Sequence, residues 1–131
     1  MTSETETLRA AMPFAAELGL EVLSAGPDEV TARLEWAERL CTAGGILHGG
    51  VLMSLGDAAG AYCAFLNLPE GATTATIESK TNFFGAVRGG SVRARSRLLH
   101  RGRTTIVVET DLFDDDGKHV ARVTPTQAIL T

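Results

Sequence analysis

The residues equipped for chemistry lie together in residues 40–69. Asp57 is the one charged side chain between Arg39 and Glu70, set in a run of apolar and small residues. A carboxylate without a basic neighbour loses hydration and gains no ionic partner in return. Three uses are open to it: a hydrogen-bonded structural group, a general base or nucleophile toward a carbonyl, or an anchor in a pocket without turnover. His48-Gly49-Gly50 stands just upstream, where a helical run begins. The first amides of a helix have no partner inside it and carry a partial positive charge. With no side chains at 49 and 50, a carbonyl oxygen could reach those amides, as in an oxyanion hole made of backbone alone. A tight entry turn is the plainer use of the same glycines. His48 could polarise the carbonyl or hydrogen-bond its own loop.

Gly49 and Asp57 are eight residues apart, or about 12 Å along a straight helix. One carbonyl cannot touch both on the same chain. If both act on one group, Asp57 meets Gly49 of a second copy across a two-fold axis, so the chemistry predicts a homodimer at least. No G-x-S-x-G elbow occurs. Cys41 and Cys63 lack a local helper, and His100 and His119 lie in strand or turn positions with no nucleophile pattern nearby.

The element carrying these groups is a helix. From Val51 onward, Val51, Leu52, Leu55, Ala58, Ala59, Tyr62, Cys63 and Leu66 recur at helical spacing. The other side presents Ser54, Gly56, Gly60, Ala61 and Ala64, small enough for close approach by another backbone, here a second such helix. A helix apolar or small all round is buried.

Before it, residues 1–7 read as frayed, and residues 8–18 as a short helix broken at Pro13 and stopped by Gly19. Residues 20–25 and 30–36 form a hairpin around Gly26-Pro27-Asp28-Glu29, with Val30, Ala32, Leu34 and Trp36 on its buried face. After Pro69-Glu70-Gly71, residues 73–84, 91–100, 104–113 and 118–130 all read as strands. Pro125 is predicted to mark an edge or a bulge, since proline cannot donate to a ladder. The sum is an α+β layout, an antiparallel sheet curled around one long helix.

At 131 residues the chain reads as one domain, residues 1–131. A net charge of -4 argues against a nucleic-acid partner. No CxxC or His/Cys cluster suggests a metal site or disulfide framework, which favours a reducing compartment. The acidic, polar start does not read as a signal peptide, and no run reaches the roughly 18 apolar residues of a membrane span. A cytoplasmic location is expected.

Over residues 13–130 the order hairpin, Gly-rich loop, HGG-x6-Asp helix and strands resembles the hotdog-fold acyl-CoA thioesterases of the phenylacetyl-CoA thioesterase (PaaI) type. The most specific part is His48-Gly49-Gly50-Val-Leu-Met-Ser-Leu-Gly-Asp57. Asn82-Phe83-Phe84, His100-Arg101-Gly102-Arg103-Thr104 and Asp116-Gly117-Lys118-His119-Val120-Ala121 support it. The resemblance implies a hotdog fold, two subunits sharing a continuous sheet, a homotetramer made of two such dimers, and hydrolysis of an acyl-CoA to free acid and CoA. No metal and no cofactor beyond the CoA of the substrate is implied.

Carried over by position, Asp57 activates water or attacks the thioester. The Gly49 N–H polarises the carbonyl, with His48 and Gly50 beside it, and Thr76 falls near a hydroxyl that holds the water. Thr42 stands where many members carry Asn or Gln. That departure keeps open a second reading, a non-catalytic acyl-CoA-binding or regulatory hotdog domain. The phosphates of CoA call for a basic lip, for which Arg88, Arg101 and Arg103 are the candidates. Phe83 and Phe84 with the central helix would line the acyl pocket, for an aryl or an aliphatic group.

Overall fold

The computed structural model describes residues 3–131. In chain order the elements are α1 (Glu4–Ala11), α2 (Pro13–Leu18), β1 (Glu21–Ala25), β2 (Glu29–Glu35), two single 3-10 turns, α3 (Gly49–Phe65), β3 (Thr73–Phe83), β4 (Ser91–Arg101), β5 (Thr105–Asp114) and β6 (His119–Leu130). One six-stranded antiparallel sheet, ordered β1-β2-β4-β5-β6-β3, wraps α3. This is the α+β architecture with a curled sheet that the sequence predicts.

Helix formation starts earlier than the sequence suggests. The Ser3 side chain accepts the Glu6 N–H, and Glu4 and Glu6 occupy the first turn, where carboxylates suit the helix dipole. Thr5 Oγ1 also accepts the Val22 N–H at 2.9 Å, which ties α1 to β1. Of the segment expected to fray, residues 4–7 are therefore helical, and residues 1–2 lie outside the described residues. The break at Pro13 is present: Met12 ends α1 and proline takes the first position of α2, where its missing N–H is no loss. Gly19, at φ 73, ends α2 in the left-handed conformation.

Strand alternation builds the core. Val30, Ala32 and Leu34 of β2, Val92 and Ala94 of β4, and Ile106, Val108 and Leu112 of β5 all face α3 and are almost wholly buried. Register shifts at Leu23, Ile77 and Leu99 mark bulges, and all three side chains are turned out to solvent. Such bulges bend strands and add twist, which lets one sheet curl around a helix. Pro125 departs from expectation, because β6 is an interior strand between β5 and β3. The β5–β6 pairs run from Val107↔Thr126 to Thr110↔Val123 with Pro125 opposite the gap. The missing N–H is thus accommodated by a local interruption of the ladder rather than by an edge.

The small-residue side of α3 does not wait for a second helix. A Cβ on Gly56 would lie 2.4 Å from Val123 Cγ2, and one on Gly60 would lie 2.7 Å from Pro125 Cγ. Both glycines are spent inside the chain, pressing α3 onto β6. Ser54, Asp57, Ala58 and Ala61 are left half-buried, with Met53 and Phe65 exposed. No helix among the described residues is long and apolar enough to cross a membrane.

Gly56→Ala should therefore destabilise the fold by about 1–3 kcal/mol through overpacking. That outweighs the roughly 1 kcal/mol that alanine contributes over glycine inside a helix. Urea unfolding measures it, and Val123→Ala in the same chain should recover most of the loss. A neutral Gly56→Ala would mean that β6 does not press on the helix.

Candidate active site

Two groups of candidate residues lie at different heights on α3. At its start, His48 is the N-cap, and its Nδ1 accepts the Gly50 N–H at 2.8 Å. The loop before it is pinned by backbone bonds, Leu47 N–H to Val87 O at 2.9 Å and His48 N–H to Leu40 O at 2.9 Å. Of the two glycine amides, Gly50's is therefore consumed by the cap, and Gly49's has no partner among the described residues. The Phe83 ring lies directly over Gly49, where a Cβ would come within 3.2 Å of Cζ. An unoccupied donor at a helix N-terminus, under an exposed aromatic ring, suits a carbonyl oxygen that develops negative charge.

Two turns further on, Asp57 sits on the uncovered stripe. Its Oδ1 is buried without a hydrogen bond, and it makes no ion pair among the described residues. Burial raises its pKa above the ordinary carboxylate value, with the nearby Ser79 hydroxyl pulling partly the other way. Asp57 shares an open depression with Met53, Ser54, Thr76 and Ser79. Ser54 donates to Gly50 O at 2.7 Å, and Thr76 Oγ1 accepts from the buried Gln127 Nε2 at 2.9 Å. An unpaired carboxyl of raised basicity beside hydroxyls can take a proton from a water that those hydroxyls hold.

Ser54, Ser79 and Gln127 were not singled out from the sequence. Ser54 was legible, one turn before Asp57 on the same face. Ser79 was not, because residues 76 and 79 fall on opposite faces of a regular strand. The bulge at Ile77 brings both to the inner face, with Thr76 opposite Gln127 and Ser79 opposite Pro125.

The remaining sequence candidates scatter. Phe84 turns to the outer face, its ring 4.9 Å from that of His119, which also stacks on Phe113. Thr42 is exposed in the pinned loop, its N–H bonded to Ile46 O at 2.8 Å. Arg88 lies in the loop after β3, across a cleft from Asp114, Asp115 and Asp116. Arg101 and Arg103 lie at the β4–β5 turn, beside Thr105, which pairs with Ala128 and through it with Ala75. Phe83 and Gly49 lie at the other end of the sheet, about 25 Å away at strand rise. Among the described residues no three His, Cys, Asp or Glu side chains converge as a metal site.

The thioesterase superfamily model matches residues 44–121, a span that contains both groups. A protein of Mycobacterium tuberculosis provisionally designated an esterase is 31% identical over 118 residues, covering 88% of this chain and 84% of that one. A proofreading thioesterase of Cronobacter turicensis is 27% identical over 118 residues, covering 90% of this chain and 86% of the relative. Among solved structures, a thioesterase of Haemophilus influenzae superposes with a TM-score of 0.92 at 25% identity, covering 100% of this chain and 92% of that one.

An acid whose folded pKa exceeds its unfolded value holds its proton more tightly when folded. Its contribution is then most favourable at low pH and declines as pH rises past the unfolded carboxylate value near 4. Asp57→Asn should accordingly raise Tm at pH 7, and the gap should close below about pH 4. A lower Tm at pH 7 would show the carboxylate to be held by a stabilising partner.

Proposed function

The chain belongs to the thioesterase superfamily, and from that footing we propose that it hydrolyses an acyl-CoA to free acid and CoA at a site completed by a second copy. The observation that carries this reading is the pairing of two unsatisfied groups on one helix, the Asp57 carboxyl and the Gly49 amide. They are too far apart to share a carbonyl within one chain, at about 12 Å. The outer edge of β3 supports a second copy. It is eleven residues long, unpaired on one side, and carries exposed Ile77 and Phe83. Such an edge invites another strand.

Two β3 edges paired antiparallel across a two-fold axis set the Thr73 end of one beside the Phe83 end of the other. Asp57, Thr76 and Ser79 of one protomer then face Gly49 of the partner subunit. The same operation brings Arg101 and Arg103 toward the end of the sheet where the partner's Arg88 lies, as a basic lip for CoA phosphates requires. Two such dimers would make the homotetramer.

In the reaction, water held near Thr76 and Ser79 gives its proton to Asp57 and its oxygen adds to the thioester carbon. The carbonyl oxygen takes the negative charge onto the Gly49 N–H, and collapse breaks the C–S bond. The departing sulfur takes the proton from Asp57. In direct attack an Asp57 oxygen adds to the carbon and CoA leaves as the thiolate; water then splits the anhydride, and the proton it gives up goes to that thiolate. The unpaired Cys41 and Cys63 suit a reducing cytoplasm. Exposed Thr42, unengaged by its side chain, favours the second reading, a domain that binds acyl-CoA without turnover.

Thiol release from a panel of acyl-CoAs separates the two. Asp57→Ala should lose at least about 10²-fold in kcat with the fold intact. Binding without turnover on any member would select the non-catalytic domain. Gly49→Pro removes the proposed donor at a helix position where proline is tolerated, after a His48 already extended at ψ 137. It should cost about 10²–10³ in kcat, whereas Gly49→Ala, which keeps the N–H, should cost far less. Solution mass must be that of a dimer or larger, and a strict monomer would refute the shared site.

A further inference from the structure

The uncovered stripe of α3 continues past Asp57 beneath the bend between α1 and α2. On the α2 side of Asp57, a cavity of about 190 Å³ is walled by Met12, Phe14, Leu18 and Ala58, with Ser54 and Asp57 also lining it. Beyond it, a second cavity of about 200 Å³ is walled by Leu8, Ala11, Met12, Ala61, Tyr62 and Phe65. Met12 lines both, so the two adjoin at this one flexible residue. The roof is fastened independently of any ligand. Arg9 Nε donates to Leu20 O at 2.9 Å, and the Tyr62 hydroxyl is engaged by Glu4. Tyr62 therefore offers its ring rather than its hydroxyl to the second cavity.

Asp57 thus has two approaches of opposite character. Toward β3 the space is open and bordered by the hydroxyls of Ser54, Thr76 and Ser79, which suits water and the polar thioester. Toward α2 the lining is mostly apolar, with Ser54 shared between the two sides and Phe14 partly open to solvent. We infer that the acyl group of the substrate enters under the α1–α2 bend, passes Met12 and ends against Ala61, Tyr62 and Phe65. The chain is then selective for unbranched, medium-length acyl groups. This rests on the hydrolysis reading for the placement of the carbonyl at Asp57.

The reach from Asp57 to Phe65 is about 12 Å along the helix, enough for an extended chain of medium length. A phenyl ring fills the first cavity and leaves the second one empty. Ala11 and Ala61 are the residues whose small size keeps the second cavity open, which makes them specificity-determining rather than catalytic.

The test is an acyl-CoA series from acetyl to palmitoyl with Ala61→Leu, and with Ala11→Leu at the exposed end of α1 should the first fail to fold. In the unmodified protein, kcat/KM should rise about fourfold per added carbon through the medium range and then level off. Either leucine should lower kcat/KM for decanoyl-CoA at least about tenfold and leave butyryl-CoA within about twofold. Equal loss on both substrates, or none, overturns the proposal. If no acyl-CoA is turned over, the hydrolysis reading falls on its own, and calorimetry with non-hydrolysable decanoyl and acetyl thioethers of CoA decides the pocket. Ala61→Leu weakening only the decanoyl analogue upholds it, and unchanged decanoyl binding refutes it.

Discussion

Helix α3 lies against β6 because Gly56 and Gly60 present nothing between its backbone and Val123 and Pro125. That contact fixes both the depth and the rotation of the helix. Leu52, Leu55, Ala59 and Cys63 go into the core, and the next residue after Gly56 is carried round to the uncovered stripe. The carboxyl of Asp57 has its raised pKa for this reason. It is half sunk in an apolar wall by a helix that cannot turn without driving its own side chains into the sheet.

The start of the same helix shows a finer division of labour. A pair of glycines offers two amides, yet the fold spends one of them. His48 caps Gly50 through Nδ1, which leaves the ring proton on Nε2, while Gly49 keeps its N–H and permits the close approach of Phe83. A histidine acting as a cap through Nδ1 orients the helix entrance and holds the loop that reaches Val87. In the same arrangement the Gly49 N–H keeps no partner among the described residues.

Sheet irregularities do as much for the site as the helix does. The bulge at Ile77 sets Thr76 and Ser79 on one face and pushes an isoleucine outward on an unpaired edge. One backbone irregularity thereby assembles the hydroxyls around Asp57 and roughens the strand through which a second copy would complete the site. The buried Gln127, with its amide on Thr76, holds that arrangement from the adjacent strand.

Local pattern alone determined the elements and the outline of the fold. Alternation in β2, β4 and β5, the 3.6-residue period of α3, and the punctuation at Pro13, Gly19 and Pro69 each act over a few residues, so composition and spacing suffice to reveal them. The lone acid and the HGG entrance were legible for the same reason. Tertiary structure decided what no single segment contains. It decided which partner the small-residue face meets, since Gly56 and Gly60 serve β6 and not a second helix. It decided the interior place of the strand bearing Pro125, the bulge that recruits Ser79, the separation of Phe84 from Phe83, and the distance of Arg101 and Arg103 from Gly49. Each depends on register between strands far apart in sequence, and register follows from the packing of the whole sheet around the helix rather than from the preferences of any stretch of chain.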